Sequence, residues 1–258
     1  MKYFIVSDIH SFFDEFKKAI DEAGFDPKDE NHTLVICGDL FDRGRQPIEL
    51  IRYLNHEVPR KILIRGNHED LFVDMCRRGE PWMHDYSNGT CQTAFDLTGA
   101  NEPISFERRA SIALTKITPL LNQMVDYYET EHYIFVHGWI PCWDRGASKY
   151  VMENAFIYNS EWRGLSTRDW KQARWRNGID CAKHGIIEPN KTIICGHYHT
   201  SYGHSRYDEH KLKEWPQKNR KNWEDSFKPF IKEGIIALDS CVAYSGFCNC
   251  LVLDEDKL

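Results

Sequence analysis

Five short apolar runs in this chain break off into side chains that ligate metals or handle phosphate. In order, the breaks read Ser7-Asp8-Ile9-His10, Gly38-Asp39-Leu40-Phe41-Asp42-Arg43-Gly44, Gly66-Asn67-His68-Glu69, Val136-His137-Gly138 and Gly196-His197-Tyr198-His199. One such peptide would constrain little. Five of them require a fold that gathers several strand ends at one place.

The runs at 3–6, 33–37, 61–64, 133–136, 192–195, 235–238 and 248–253 are rich in Val, Ile, Leu and Phe and read as buried strands. Helical spacing lies between the early ones. Phe12, Phe16, Ala19, Ile20 and Ala23 share one face. Ile48, Ile51 and Leu54 mark a second helix behind Pro47, and Leu71, Phe72 and Met75 a third. Alternating strand and helix predicts an α/β fold with a largely parallel sheet. The later runs lack long helices, and 124–128 followed by 133–136 reads as a hairpin. In α/β sheets, ligands gather at the carboxyl ends of the strands, where all five motifs fall.

Composition narrows the function classes. With 41% hydrophobic and 28% charged residues, the chain reads as an ordinary globular protein. A net charge of −6 argues against an extended nucleic-acid surface. No apolar run reaches the ~18 residues of a membrane span. The N-terminal apolar run is too short for a signal-peptide core. Nine cysteines, an odd number partly inside apolar runs, read as reduced thiols in a cytoplasmic protein. Cys248 and Cys250 are expected to pack rather than bind metal. The whole of 1–258 reads as one domain with an insertion or flap around 203–232. Trp215, Trp223, Phe227 and Phe230 punctuate that stretch, which holds eight Lys/Arg against five Asp/Glu. The Trp-rich stretch 162–175 reads as packing.

SDIHS, GDLFDRG, GNHED, HGW and GHYHT, in that order, resemble the motifs of the metallophosphoesterase superfamily (calcineurin-like phosphoesterases). They come nearest to its bacterial and phage phosphoprotein phosphatases. The resemblance spans essentially the whole chain and includes Asn88-Gly89 and Leu238-Asp239-Ser240. It implies an αββα sandwich of two mixed sheets flanked by helices, built around two divalent ions. The donors are oxygen and nitrogen without thiolate, which allows manganese first, and iron, zinc or cobalt.

Asp8 and His10 are expected on one ion, Asp39 bridging both, and Asn67, His137 and His197 on the second. His199 can turn back to the first. A bridging hydroxide would attack phosphorus. The resemblance makes His68 the general acid, oriented by Asp42, and gives Arg43 the phosphoryl oxygens. A second phosphate arginine is expected at Arg176, with Arg174 as competitor. The implied substrate is a phosphorylated Ser/Thr protein, or alternatively a dinucleoside polyphosphate or other nucleotide-type phosphate. A phosphate-binding scaffold without turnover would not need Asp42, Arg43 and His68 together.

Three positions depart from the family pattern. Ser7 and Ser11 stand for glycines, and Trp139 for the second glycine of HGG. Trp139 is expected to narrow the mouth of the site.

Overall fold

The computed structural model describes residues 1–144, 156–208 and 223–255. The strands are β1 (Lys2–Val6), β2 (His32–Cys37), β3 (Lys61–Ile64), β4 (Met124–Val125), β5 (Tyr128–Glu129), β6 (Tyr133–Phe135), β7 (Trp143–Asp144), β8 (Phe156–Ile157), β9 (Thr192–Cys195), β10 (Phe230–Lys232), β11 (Ile235–Ala237) and β12 (Leu251–Asp254). The α-helices are α1 (Phe13–Glu22), α2 (Pro47–His56), α3 (Asn67–Arg78), α4 (Met83–Ser87), α5 (Thr90–Thr98), α6 (Phe106–Leu121), α7 (Thr167–Ala173), α8 (Gly178–Lys183), α9 (Thr200–Tyr207) and α10 (Val242–Ser245).

Two five-stranded sheets run β12-β1-β2-β3-β4 and β10-β11-β9-β6-β5. Their inner pairs are parallel, and β12, β10 and β5 are antiparallel edges. The alternation of side chains along each strand explains why the runs read as continuously apolar: both faces are buried. Tyr3 and Ile5 of β1, with Val35, Cys37 and Ile64, face Phe135, Ile194, Ile236 and Leu238 of the second sheet. Phe4 and Val6 point the other way, into a core with Phe16, Ile20, Leu50, Phe72 and Ile117 from the helices. A third core lies behind the second sheet, around Trp139, Trp162, Trp170 and Ile179. The result is the two-sheet sandwich anticipated above.

Some local expectations fail for identifiable reasons. The 124–128 stretch is not one strand of a hairpin. Met124 and Val125 pair parallel with Leu63 and Ile64 in the first sheet, whereas Tyr128 and Glu129 pair antiparallel with β6 in the second. Asp126-Tyr127 is the crossing between sheets. In α2, Ile48 is 50% exposed, and Leu50, Tyr53 and Leu54 are buried. The stripe is rotated because Tyr53, not Ile48, meets Phe13 and Phe16 of α1 edge-on. Trp139 does not narrow the mouth. It is 1% exposed, sits in the third core, and donates its indole N–H to the Ile186 carbonyl at 2.9 Å. An indole with an apolar slot and a carbonyl at its tip gains more there than over water.

All nine cysteines are free thiols, and Cys248 and Cys250 pack in or against the first core. Both ends of the 203–232 stretch are built into the fold. Gly203 lies in α9, Phe227 and Phe230 are buried, and β10 pairs with β11. Residues 209–222, including Trp215, lie outside the described residues. Among the described residues, no helix is long and apolar enough to cross a membrane.

Candidate metal centre

β1, β2 and β3 of one sheet and β6, β9 and β11 of the other end at the same place. Direct bonds fasten the two sets. His137, after β6, donates Nδ1–H to the Cys37 carbonyl of β2 at 2.8 Å. His197, after β9, donates its backbone N–H to the Asp8 carboxylate after β1, at 2.9 and 3.1 Å to the two oxygens.

Close approach dictates the small residues of the motifs. A Cβ on Gly66 would stand 2.1 Å from Asp39 Oδ1, and one on Gly196 would stand 2.0 Å from Asp8 Oδ2. The carboxylates occupy the space that any side chain would need.

Backbone strain concentrates here. Of nine non-glycine residues with positive φ among the described residues, seven are Asp8, His10, Ser11, Asp39, Asp42, Arg43 and His197. Each costs on the order of 1–3 kcal/mol, so the rest of the fold must hold these turns. Serine at position 11 adopts the conformation that glycine would take more cheaply, at φ 58.

Asp39 is the hub. Its carboxylate shares one cluster of possible metal-binding atoms with His10 and His68, and another with His137 and His197. In each cluster the donor atoms lie within 4.8 Å of one another. Asp39 Oδ2 is 3.4 Å from His137 Nε2 and 3.8 Å from His10 Nε2. Asn67 Oδ1 joins the second cluster, 2.7 Å from His137 Nε2.

The tautomers suit cation binding. His10 donates Nδ1–H to the Phe41 carbonyl at 2.9 Å, and His137 donates to Cys37, so both Nε2 lone pairs turn inward. His137 Nε2, Asn67 Oδ1 and Asp39 Oδ2 are then three acceptors converging on one point. Burial disfavours a charged His137, yet the facing Asp39 carboxylate outweighs it and lifts the imidazole to about 10. A proton is drawn to the spot where a cation fits. Burial likewise opposes ionisation of Asp39, but His137, His68 and His10 hold its carboxyl well below the ordinary range. Burial, the Arg43 cation and His68 keep His10 neutral, and burial with the neighbouring His137 lowers His197 to about 3. Neutral imidazoles and an ionised carboxylate are the forms that bind divalent metals, so His10, His197 and Asp39 are ready for a cation, whereas His137 must give up a proton to take one. Asp8 is buried beside Asp239, and both effects push its carboxyl up.

His68 follows Asn67 at the start of α3. Its backbone N–H bonds Asp39 Oδ1 at 2.9 Å, and its Nδ1–H donates to Asp42 Oδ2 at 2.7 Å. Burial lowers its pKa, but Asp39 and Asp42 together outweigh burial and raise it. Arg43 reaches over the first cluster, 3.0 Å from His10 Nε2 and 3.3 Å from His68 Nε2.

Not every expected residue joins the clusters. His199 caps α9 with Nε2 3.8 Å from Asp239 Oδ2. The Arg176 guanidinium lies over the Phe156 ring, 4.5 Å from its centroid. Arg174 is buried on Asp70 and Asp126.

Four supporting residues had other or no roles in the sequence reading: Glu69 stood in a motif without a role, Thr90 and Thr93 were not singled out, and Trp175, expected to pack, is 50% exposed. Glu69, fully buried, accepts backbone N–H groups from Asp39 (3.1 Å), Leu40 (2.8 Å) and Gly66 (2.8 Å), tying the turns after β2 and β3 together. An acid at the third position of a helix that starts after glycine is a capping signal that could have flagged it. Thr90 and Thr93 each donate a hydroxyl to Asp42 at 2.9 Å, which explains why Asn88-Gly89 introduces α5 at this spot. Trp175 meets the His197 ring at 5.8 Å, and nothing in the sequence separates it from its buried neighbours Trp162 and Trp170.

A family model described as calcineurin-like phosphoesterase matches residues 1–228. A symmetrical bis(5'-nucleosyl)-tetraphosphatase of Glaesserella parasuis serovar 5 is 36% identical over 69 residues, 27% of this chain and 25% of that protein. The match therefore spans about a quarter of that relative's length. Another, of Actinobacillus succinogenes, is 25% identical over 205 residues, 76% of this chain and 68% of that protein. A cold-active protein-tyrosine phosphatase of a psychrophilic Shewanella is similar in structure, with a TM-score of 0.47 and 15% identity over 99% of this chain and 76% of that one.

Proposed function

This chain belongs to the calcineurin-like phosphoesterase family, and from that premise we propose that it is a metal-dependent hydrolase of dinucleoside polyphosphates or related nucleotide phosphates. The observation that carries the hydrolytic reading is Asp39, one carboxylate common to two clusters of metal-binding atoms. The nucleotide reading draws support from the two curated relatives above, both named bis(5'-nucleosyl)-tetraphosphatases. A second reading, a Ser/Thr phosphoprotein phosphatase, rests on the GDLFDRG and GNHED wording.

In this proposal Asp39, His10 and Asp8 would hold one ion and Asp39, Asn67, His137 and His197 the other. His199 stands beside Asp239, outside both clusters, and would reach the first ion only by turning away from that carboxylate. Oxygen and imidazole donors suit manganese first, and also iron, zinc or cobalt. When bound, the ions supply positive charge and bring the pKa of water towards neutrality.

The protein's own groups manage the remaining proton and charge. Asp42, locked by Thr90 and Thr93, pins His68 Nδ1–H and leaves Nε2 to face the site. Water adds to phosphorus, the bond to the leaving oxygen breaks, and His68 Nε2 gives that oxygen its proton. His68 regains a proton from the water. Arg43 offsets charge on the phosphoryl oxygens. Arg176, over the Phe156 ring, lies away from the clusters and would meet only the outer part of a substrate. The free thiols fit a reducing, cytoplasmic setting.

The test is one metal-replete preparation assayed on diadenosine tetraphosphate, a phosphoserine peptide and a phosphodiester. The expected outcome is the highest kcat/KM on the dinucleotide. A higher value on the phosphopeptide would replace the nucleotide reading by the phosphoprotein one.

A further inference from the structure

Two exposed aromatic rings meet the same metal-cluster imidazole. Trp175 is 50% exposed, with its ring centroid 5.8 Å from that of His197 at an interplanar angle of 86°. Tyr198 is 36% exposed, 5.2 Å from His197 at 69°. The other tryptophans of the same stretch, Trp162 and Trp170, are buried in the third core. Trp175 alone of the three spends its large apolar face on water, beside a site built from carboxylates, imidazoles and an arginine.

The peptide that presents Trp175 is held firmly. Its N–H bonds the Gln172 carbonyl at 3.1 Å, continuing the turn after α7. On one side, the buried Arg174 bonds Asp70 at 2.6 Å and also pairs with Asp126. On the other, Arg176 N–H bonds Ala173 and its guanidinium covers Phe156. Tyr198 is held by a turn bond to Gly196 at 2.8 Å and by an edge contact with Tyr202 at 5.6 Å. Rings whose backbones are already ordered cost little further entropy when something stacks on them.

We propose that Trp175 and Tyr198 form a base-binding subsite, which takes the purine or pyrimidine ring of a nucleotide whose phosphate lies at the Asp39 clusters. This deepens the nucleotide reading given above and rests on it for the choice of aromatic ligand. A base has a π-face for the indole and the phenol, and stacking on an aromatic side chain is tolerant of base identity. A phosphoserine side chain has nothing that would use these rings. The bland alternative is that Trp175 only steadies His197, and the two roles separate by ligand.

The experiment measures binding of adenosine 5'-monophosphate and ribose 5-phosphate to the metal-replete protein by calorimetry. The two ligands share the phosphate and sugar and differ by the base. The wild type is expected to bind the nucleotide at least about tenfold more tightly, the size of one stacking contact. Trp175→Ala should collapse that ratio to about twofold or less, Trp175→Phe should keep most of it, and Tyr198→Ala should lower it in part. Equal binding of both ligands to the wild type would overturn the proposal. So would a Trp175→Ala protein that weakens both ligands by the same factor, the pattern of a residue that merely positions His197. Binding needs no turnover, so a protein that prefers phosphopeptides as substrates yet keeps the Trp175-dependent ratio would refute the nucleotide-hydrolase reading and leave the subsite standing.

Discussion

Replacing Glu69 by glutamine tests how the site is held together. The carboxylate takes three buried backbone N–H groups, two on Oε2 (Gly66 at 2.8 Å, Asp39 at 3.1 Å) and one on Oε1 (Leu40 at 2.8 Å). In Glu69→Gln one carbonyl oxygen can still accept from Gly66 and Asp39. The amide NH2 must then face Leu40 N–H, donor against donor. A buried donor without a partner costs about 1–3 kcal/mol. Loss of the charge weakens the two surviving bonds by roughly half, about 1 kcal/mol together. The total is about 3 kcal/mol, or a fall of roughly 6–12 °C in Tm for a protein of this size. Burial and the Asp39 charge raise the Glu69 carboxyl, so the melts belong at pH 8, with chelator present to isolate the protein's own contribution. Metal affinity, titrated separately, should drop about 10–100-fold, because Glu69 orients Asp39 and the peptide before Asn67. Glu69→Ala, which orphans all three donors, should fall further on both counts. Melting within about 2 °C of wild type together with unchanged metal affinity would refute the idea that this carboxylate locks the two turns.

His68→Asn should lower kcat by ~10²–10⁴ on alkyl phosphates with metal content retained, and by less on p-nitrophenyl phosphate, whose leaving group hardly needs a proton. Equal losses on both esters would assign His68 to positioning. Away from the site, Glu129 is held at about 2 by Arg163 and Lys191. Its folded pKa lies below the unfolded one, so its stabilisation is complete above about pH 4.5 and disappears as pH falls towards 2. Glu129→Gln should therefore lower Tm at pH 7 and flatten the loss of Tm between pH 4.5 and 2.5. Parallel Tm curves for the two proteins would rule out this ion pair as a source of acid sensitivity.

The chain's strand ends could be read without a structure because parallel strands buried on both faces leave uninterrupted apolar runs, as at Ile5-Val6 and Val35-Ile36. Whatever follows such a run must sit at the sheet edge, so Asp8, His10, Asp39, Asn67, His137 and His197 were legible as a set although they span nearly 190 residues. Short-range spacing also marked α1 and α3. What the sequence could not carry is the direction of a side chain whose partners are remote. Trp139 turns into a core made by Trp162, Ile179 and Ile186, and Trp175 turns out beside His197, though both are tryptophans next to a motif or a helix. Asp42 depends on Thr90 and Thr93, 48 and 51 residues away, and no local period encodes that pairing. The crossing at Asp126-Tyr127 follows from which sheet edge lies nearest, a property of the assembled sandwich. Periodicity and motif spacing record what the backbone repeats every two or three and a half residues. The contacts that aim Trp175, lock Asp42 and cluster acceptors around Asp39 arise only when distant strands are brought within a few ångströms, and tertiary packing alone decides them.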